Sequence, residues 1–279
     1  MPRILDYNGR DADRTVTVAS IVALKNQAGR YTQTTAATAE EAAAAETAGI
    51  EMVVCMADSV PAVREGSSRV FVTAAIDFGG EITVDDLLAT AFRSLSSGAD
   101  AVITARRLEA VSLLAAEDIP VMGHLGFVPK KSTVFGGVRS VGRTADEAAE
   151  LWTRFQRLED AGAFAVECEL IPANVMAEIN QRTGLATISL GSGPHANVMF
   201  LFSSDICGDG PRLPRHARAW GNIASLREQI VDERVAALTA FRAEIAAGTF
   251  PDQTEIALAD GSELERFVAG LDSDRKPAS

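Results

Sequence analysis

A chain of 279 residues with 47% hydrophobic side chains can bury a substantial core, enough for one large α/β domain or two small ones. Its net charge of −12, with Lys and Arg scattered along the sequence, argues against nucleic acid or an anionic membrane as partner and favours a small metabolite. No apolar run reaches the roughly 18 residues of a spanning helix, and the start, "MPRILDYNGRDADR", lacks the apolar segment of a secretory leader, so a cytoplasmic protein is expected.

Short β-rich runs alternate with helical patterns along most of the chain, the pattern of a parallel sheet with crossover helices. In chain order the expected strands are Tyr31 to Thr35, Met52 to Met56, Val70 to Ala74, Ala101 to Thr104, Ile119 to Gly123, Phe164 to Glu169, Ala186 to Leu190 and Val198 to Phe202. Helices are expected over Thr38 to Ala48, Val84 to Ser96 and Ala145 to Ala161, with Gly49, Gly98 and Gly162 ending them just before a strand. This spacing favours a closed (β/α)8 TIM barrel as one domain spanning 1–279. Residues 209–279 are read as a C-terminal helical extension and tail, with a long amphipathic helix over Ser225 to Ala247 and a frayed end from Asp272. Cys55, Cys168 and Cys207 are odd in number and lack metal-site spacing, so free thiols are expected.

In such a barrel, chemistry belongs at the C-terminal ends of the strands. That rule selects Asp58 and Ser59, Asp77, His124, Glu169, the segment Ser192 to His195, and Asp205. In "VMGHLGFVPKKSTVFGGVRSVGRT" a strand delivers His124 to a glycine-flanked turn where backbone can approach a ligand. "LGSGPHAN" offers backbone N–H groups of the kind that bind anions, with Ser192 as a substrate contact, although a plain turn has the same composition. Asp58 fits either a hard-cation ligand or a helix cap. With Asp77 from the adjacent strand it could hold Mg²⁺ among several waters. Within "GAFAVECELIP", period two puts Glu167 and Glu169 on one strand face. Glu169 is nearer the strand's C-terminal end and reaches the site, whereas Glu167 lies a layer deeper or pairs with a basic neighbour. Desolvation raises the proton affinity of such a carboxylate, which suits it to remove a proton next to a carbonyl.

Together, "IPVMGHLGFVPKKSTVFGGVRSVGRT", "EDAGAFAVECELIP", "ISLGSGPHAN", "SSDICG" and "FRAEIAAGTFPD" closely resemble the 3-methyl-2-oxobutanoate (ketopantoate) hydroxymethyltransferase family of the phosphoenolpyruvate mutase and isocitrate lyase superfamily. The likeness extends more faintly to "TVASIVALKNQAGRYTQTTAATAEEAAAAETAGI" and "ADS". The resemblance implies a (β/α)8 barrel that assembles into homodecamers and transfers a hydroxymethyl group from 5,10-methylenetetrahydrofolate to a 2-oxo acid, on the route to pantothenate. It implies that Mg²⁺ chelates the substrate, that Glu169 takes the C3 proton, that His124 lies near the substrate, and that Asp58 and Ser59 contact metal and carboxylate. Glu167 has no family counterpart. The family's second metal aspartate falls on Ala75, two residues before Asp77, and its third acidic residue falls on Ala105, beside Arg106 and Arg107, which could replace the metal. The sequence thus leaves open a hydroxymethyltransferase acting on a different 2-oxo acid, a C–C lyase or hydrolase working without folate, and a non-catalytic relative.

Overall fold

A computed structural model describes residues 3–76, 83–210 and 212–273. Two compact units divide the chain, Met1–Asn222 and Ile223–Ser279.

The first unit is a closed barrel of eight parallel strands in sequential order, β1 pairing with β8. The strands are β1 (Tyr31–Thr35), β2 (Met52–Met56), β3 (Phe71–Ala75), β4 (Ala101–Thr104), β5 (Val121–Gly126), β6 (Ala165–Glu169), β7 (Ala186–Leu190) and β8 (Val198–Phe200). Around them run α1 (Val18–Ala23), α2 (Ala39–Thr47), α3 (Val60–Gly66), α4 (Val84–Ser96), α5 (Leu108–Ala116), α6 (Ala145–Asp160), α7 (Ala173–Asn180) and the short α8 (Ser203–Cys207). Several helices start where the sequence supplies caps: Thr38, Thr83 and Thr144 each accept a backbone N–H of the first turn, and acidic residues follow.

Alternation along the strands divides the buried residues into two sets. Val53, Val72, Val102, Leu125, Val166 and Cys168 point outward against the helices, whereas Met52, Phe71, Ile103, Met122, Ala165 and Ile188 fill the lumen. The register of β5 on β6, His124 opposite Glu167 and Gly126 opposite Glu169, therefore aims all three polar side chains inward. Strand β5 runs to Gly126, three residues beyond the expected end, because Gly126 at φ +89° continues the pairing where a side chain could not: a Cβ there would lie 2.2 Å from the Glu169 carbonyl oxygen.

The connection from β7 to β8 departs from the regular plan, with seven residues and no helix. Asn197 N–H donates to the Thr187 carbonyl, at the N-terminal end of β7, so the segment must travel back along the whole strand. Seven residues at about 3.3 Å each reach roughly 23 Å, more than the return along β7 requires.

The second unit holds α9 (Ile223–Ala247) and α10 (Gly261–Ser273). Apolar side chains of α9, among them Ile230, Val235, Leu238 and Phe241, are exposed. No helix among the described residues is long and apolar enough to cross a membrane. All three cysteines are free; burial pushes the Cys55 thiol up to about 12 and raises that of Cys168, which makes both inert.

Candidate active site

His124 and two glutamates form one buried line across β5 and β6. The His124 Nε2 is 3.1 Å from Glu169 Oε2, and its Nδ1 is 3.8 Å from Glu167 Oε1. Nε2 also lies 3.0 Å from the Phe127 carbonyl oxygen. A carbonyl can only accept, so Nε2 carries a proton, which it shares between Phe127 and Glu169. That leaves Nδ1 to face Glu167 either as a lone pair toward a protonated acid or as N–H toward a carboxylate.

The backbone fixes this arrangement at several points. Phe127 N–H donates to the Glu169 carbonyl at 2.8 Å, tying the end of β6 to the residue whose own carbonyl holds His124. Leu170, just past Glu169, sits at φ +51°, a left-handed conformation costing a non-glycine residue about 1–2 kcal/mol. Its N–H donates to the Leu190 carbonyl and its own carbonyl accepts from Val141, anchoring the long loop that follows β5. Non-glycine residues held this way cluster where function dictates geometry.

Burial dominates the electrostatics. Glu167 is 6% exposed, and desolvation pushes its carboxyl up to about 7; His124 pulls it down in part and the Glu169 charge adds to the rise. For His124 burial acts to lower the pKa, but the hydrogen bond to Glu169 and the charges of Glu167 and Glu169 outweigh it, and the net direction is upward. Near neutral pH, Glu167 and His124 thus share protons beside Glu169.

The remaining expected residues are placed differently. Asp58 and Ser59 lie in a 3-10 turn, Ala57–Ser59, just beyond β2, with Asp58 exposed and Ser59 half-buried. Ser192 is fully buried; its hydroxyl donates to the Cys168 carbonyl at 2.7 Å and accepts from Ile171 N–H at 2.9 Å. These two bonds join the ends of β6 and β7. Asp205 is buried in α8. Asp77 lies outside the described residues. Where the resemblance puts a divalent cation, the described residues offer Asp58, with Ala75 ending β3 and Ala105 just past β4. No cluster of three or more His, Cys, Asp or Glu able to hold a metal occurs among the described residues. Mg²⁺ needs charged oxygens in near-octahedral order; of the two expected carboxylates, Asp58 lies among the described residues. Arg106 and Arg107 line a groove between α5 and α6. The sequence offered no sign that Lys130, Lys131, Arg154 and Arg157 share that groove; the cations that read as scattered converge there.

Comparison with known proteins agrees with this barrel. The family model described as ketopantoate hydroxymethyltransferase matches residues 53–253. The 3-methyl-2-oxobutanoate hydroxymethyltransferase of Thermobifida fusca is 32% identical over 271 residues, covering 88% of this chain and 94% of that protein. The Pyrococcus furiosus enzyme of the same name is 34% identical over 196 residues, covering 68% of this chain and 66% of its own. A solved structure from Burkholderia cenocepacia J2315, provisionally described as a phosphonomutase, superposes with a TM-score of 0.53 at 12% identity, covering 81% of this chain and 99% of that one, a likeness of fold. The chain belongs to the ketopantoate hydroxymethyltransferase family, a family of transferases.

Proposed function

We propose that this chain forms the enolate of a 2-oxo acid and adds a one-carbon hydroxymethyl unit to it, with Glu169 as the base. The observation that carries this reading is the inward-facing Glu169, held 3.1 Å from a protonated His124 nitrogen at the C-terminal end of the barrel. Glu169 takes the C3 proton; the C–H electrons form the C2–C3 double bond, and the carbonyl electron pair moves onto oxygen. The nucleophilic carbon then forms a C–C bond to a formaldehyde-level carbon, released when water cleaves both C–N bonds of a donor for which the family suggests 5,10-methylenetetrahydrofolate; the carbonyl electron pair of that carbon moves onto its oxygen, which takes a proton to become the hydroxyl. Relatives bear the name of 3-methyl-2-oxobutanoate, and that acid or a close analogue is the substrate class.

His124 orients Glu169 before the transfer and can return a proton afterwards, because Glu167 behind it holds a further proton near neutral pH. The exposed apolar residues of α9 support self-association into a homo-oligomer.

The test is deuterium incorporation at C3 of a panel of 2-oxo acids in D₂O, with and without tetrahydrofolate and formaldehyde. Exchange plus folate-dependent hydroxymethyl transfer is expected. Cleavage of a C–C bond without folate would replace transfer by lyase chemistry, and absence of exchange from every acid would overturn the enolate reading.

A further inference from the structure

Across the barrel mouth from the polar wall of β5 and β6, the inner face turns apolar. Along β2, Met52 and Val54 fill the lumen, and alternation carries Met56, the last residue of that strand, to the same inward face. Met56 pairs in register with Ala75, itself a lumen residue. Along β8, Phe200 is buried in the lumen, and Phe202, between β8 and α8, packs on it with ring centroids 5.3 Å apart. Between these two residues β1 supplies Thr35, paired in register with Val54. The Thr35 hydroxyl accepts the Ser203 N–H at 3.0 Å and lies 2.9 Å from the Ser203 hydroxyl, so its polar group is engaged within the fold.

The strands close in sequential order, so β8, β1 and β2 are contiguous and β2 stands four strands from β6, across the ring from Glu169. Met56 is 44% exposed and Phe202 43%, whereas Val54 and Phe200, nearer the middle of the same strands, are buried. Two large apolar side chains left open together on the concave inner face of a barrel mouth form a surface suited to a ligand's apolar part. A 2-oxo acid is polar at C1 and C2, and its C3 must meet the base. The apolar remainder of such a molecule therefore points away from Glu169. In 3-methyl-2-oxobutanoate both methyl groups sit on C3 itself, beside the base. A chain continuing from C3 runs across the mouth and buries Phe202 and Met56, and the flexible thioether of Met56 adapts to its shape.

We propose that Met56 and Phe202 form the alkyl-binding wall of the site and select a 2-oxo acid whose aliphatic chain is longer than that of 3-methyl-2-oxobutanoate. The proposal rests on the preceding reading for Glu169 and for the oxo acid.

Titration calorimetry of the full chain, in buffer containing Mg²⁺, with 2-oxobutanoate, 2-oxopentanoate and 2-oxohexanoate tests it without turnover. Affinity is expected to rise roughly 4-fold with each methylene buried. In the Met56→Ala, Phe202→Ala double variant that gradient should flatten to less than about 2-fold per methylene, whereas Met56→Leu, which conserves apolar volume, should keep it. A flat gradient in the wild type, or an undiminished one in a natively folded double variant, overturns the proposal. A double variant that loses affinity for tetrahydrofolate while its oxo-acid gradient stays intact gives the wall to the donor and overturns it as well. A steep gradient in a protein that exchanges C3 of none of these acids would overturn the enolate reading alone.

Discussion

Replacing Glu167 by glutamine removes an ionisable group from the barrel lumen while keeping nearly the same volume. In the folded chain this carboxyl titrates at about 7, against 4.5 as its ordinary value, because burial disfavours the charged form. Between those two pH values the native state retains a proton that the unfolded chain has released, so stability falls as pH rises through that window. Over about 2.5 pH units, at about 1.36 kcal/mol each, the loss is a little over 3 kcal/mol. His124 adds to it with the same sign: its folded pKa is raised, so its contribution is present below the ordinary imidazole value of 6.5 and is lost as pH climbs through the folded value. The Glu167→Gln protein lacks the first contribution and weakens the second. Urea denaturation at pH 4.5 and pH 8 should therefore show two proteins of similar stability at the lower pH, with the variant about 3 kcal/mol more stable at the higher. A gap that does not change with pH, or a wild type that gains stability from pH 5 to 7, would refute the assignment of a proton to the buried carboxyl.

Three further substitutions probe the frame of the site. Gly126→Ala places a Cβ at 2.2 Å from the Glu169 carbonyl oxygen in a residue at φ +89°; a loss of at least ~2 kcal/mol by chemical denaturation is expected. Ser192→Ala leaves the Ile171 N–H and the Cys168 carbonyl without their buried partner, costing about 1–3 kcal/mol of stability with no selective change in the KM for the oxo acid. A raised KM at unchanged stability would instead return Ser192 to the substrate. His124→Asn removes the ring nitrogen bonded to Glu169, and a fall in exchange rate of about 10²–10⁴ is expected, measured by NMR.

Much of the barrel could be read from the sequence because hydrophobic strands and helix-ending glycines recur locally. Tyr31–Thr35, Met52–Met56, Ala101–Thr104 and Ala186–Leu190 match the expected strands residue for residue. Ends governed by long-range packing were less legible: β5 runs on to Gly126 because that glycine accommodates the Glu169 carbonyl, a contact 43 positions away. His124 and Glu169 stood out because the strand-end rule converts position into exposure to the lumen. The pairing of Glu167 with His124 follows from the register of β5 on β6, which period two alone does not specify. The bonds of Ser192 to Cys168 and Ile171 were not legible, since they join residues more than 20 positions apart through tertiary packing. The cationic groove draws on three segments separated by as many as 51 positions, and no local pattern joins them.

The central claim is that Glu169 is the proton-abstracting base. The most direct test compares C3 deuterium exchange of 3-methyl-2-oxobutanoate, or whichever 2-oxo acid the wild type exchanges fastest, between the wild type and Glu169→Gln, each with its circular dichroism and melting checked. Exchange should fall by at least about 10³-fold in the variant with the fold intact. Exchange at the wild-type rate from a natively folded Glu169→Gln protein would contradict the account.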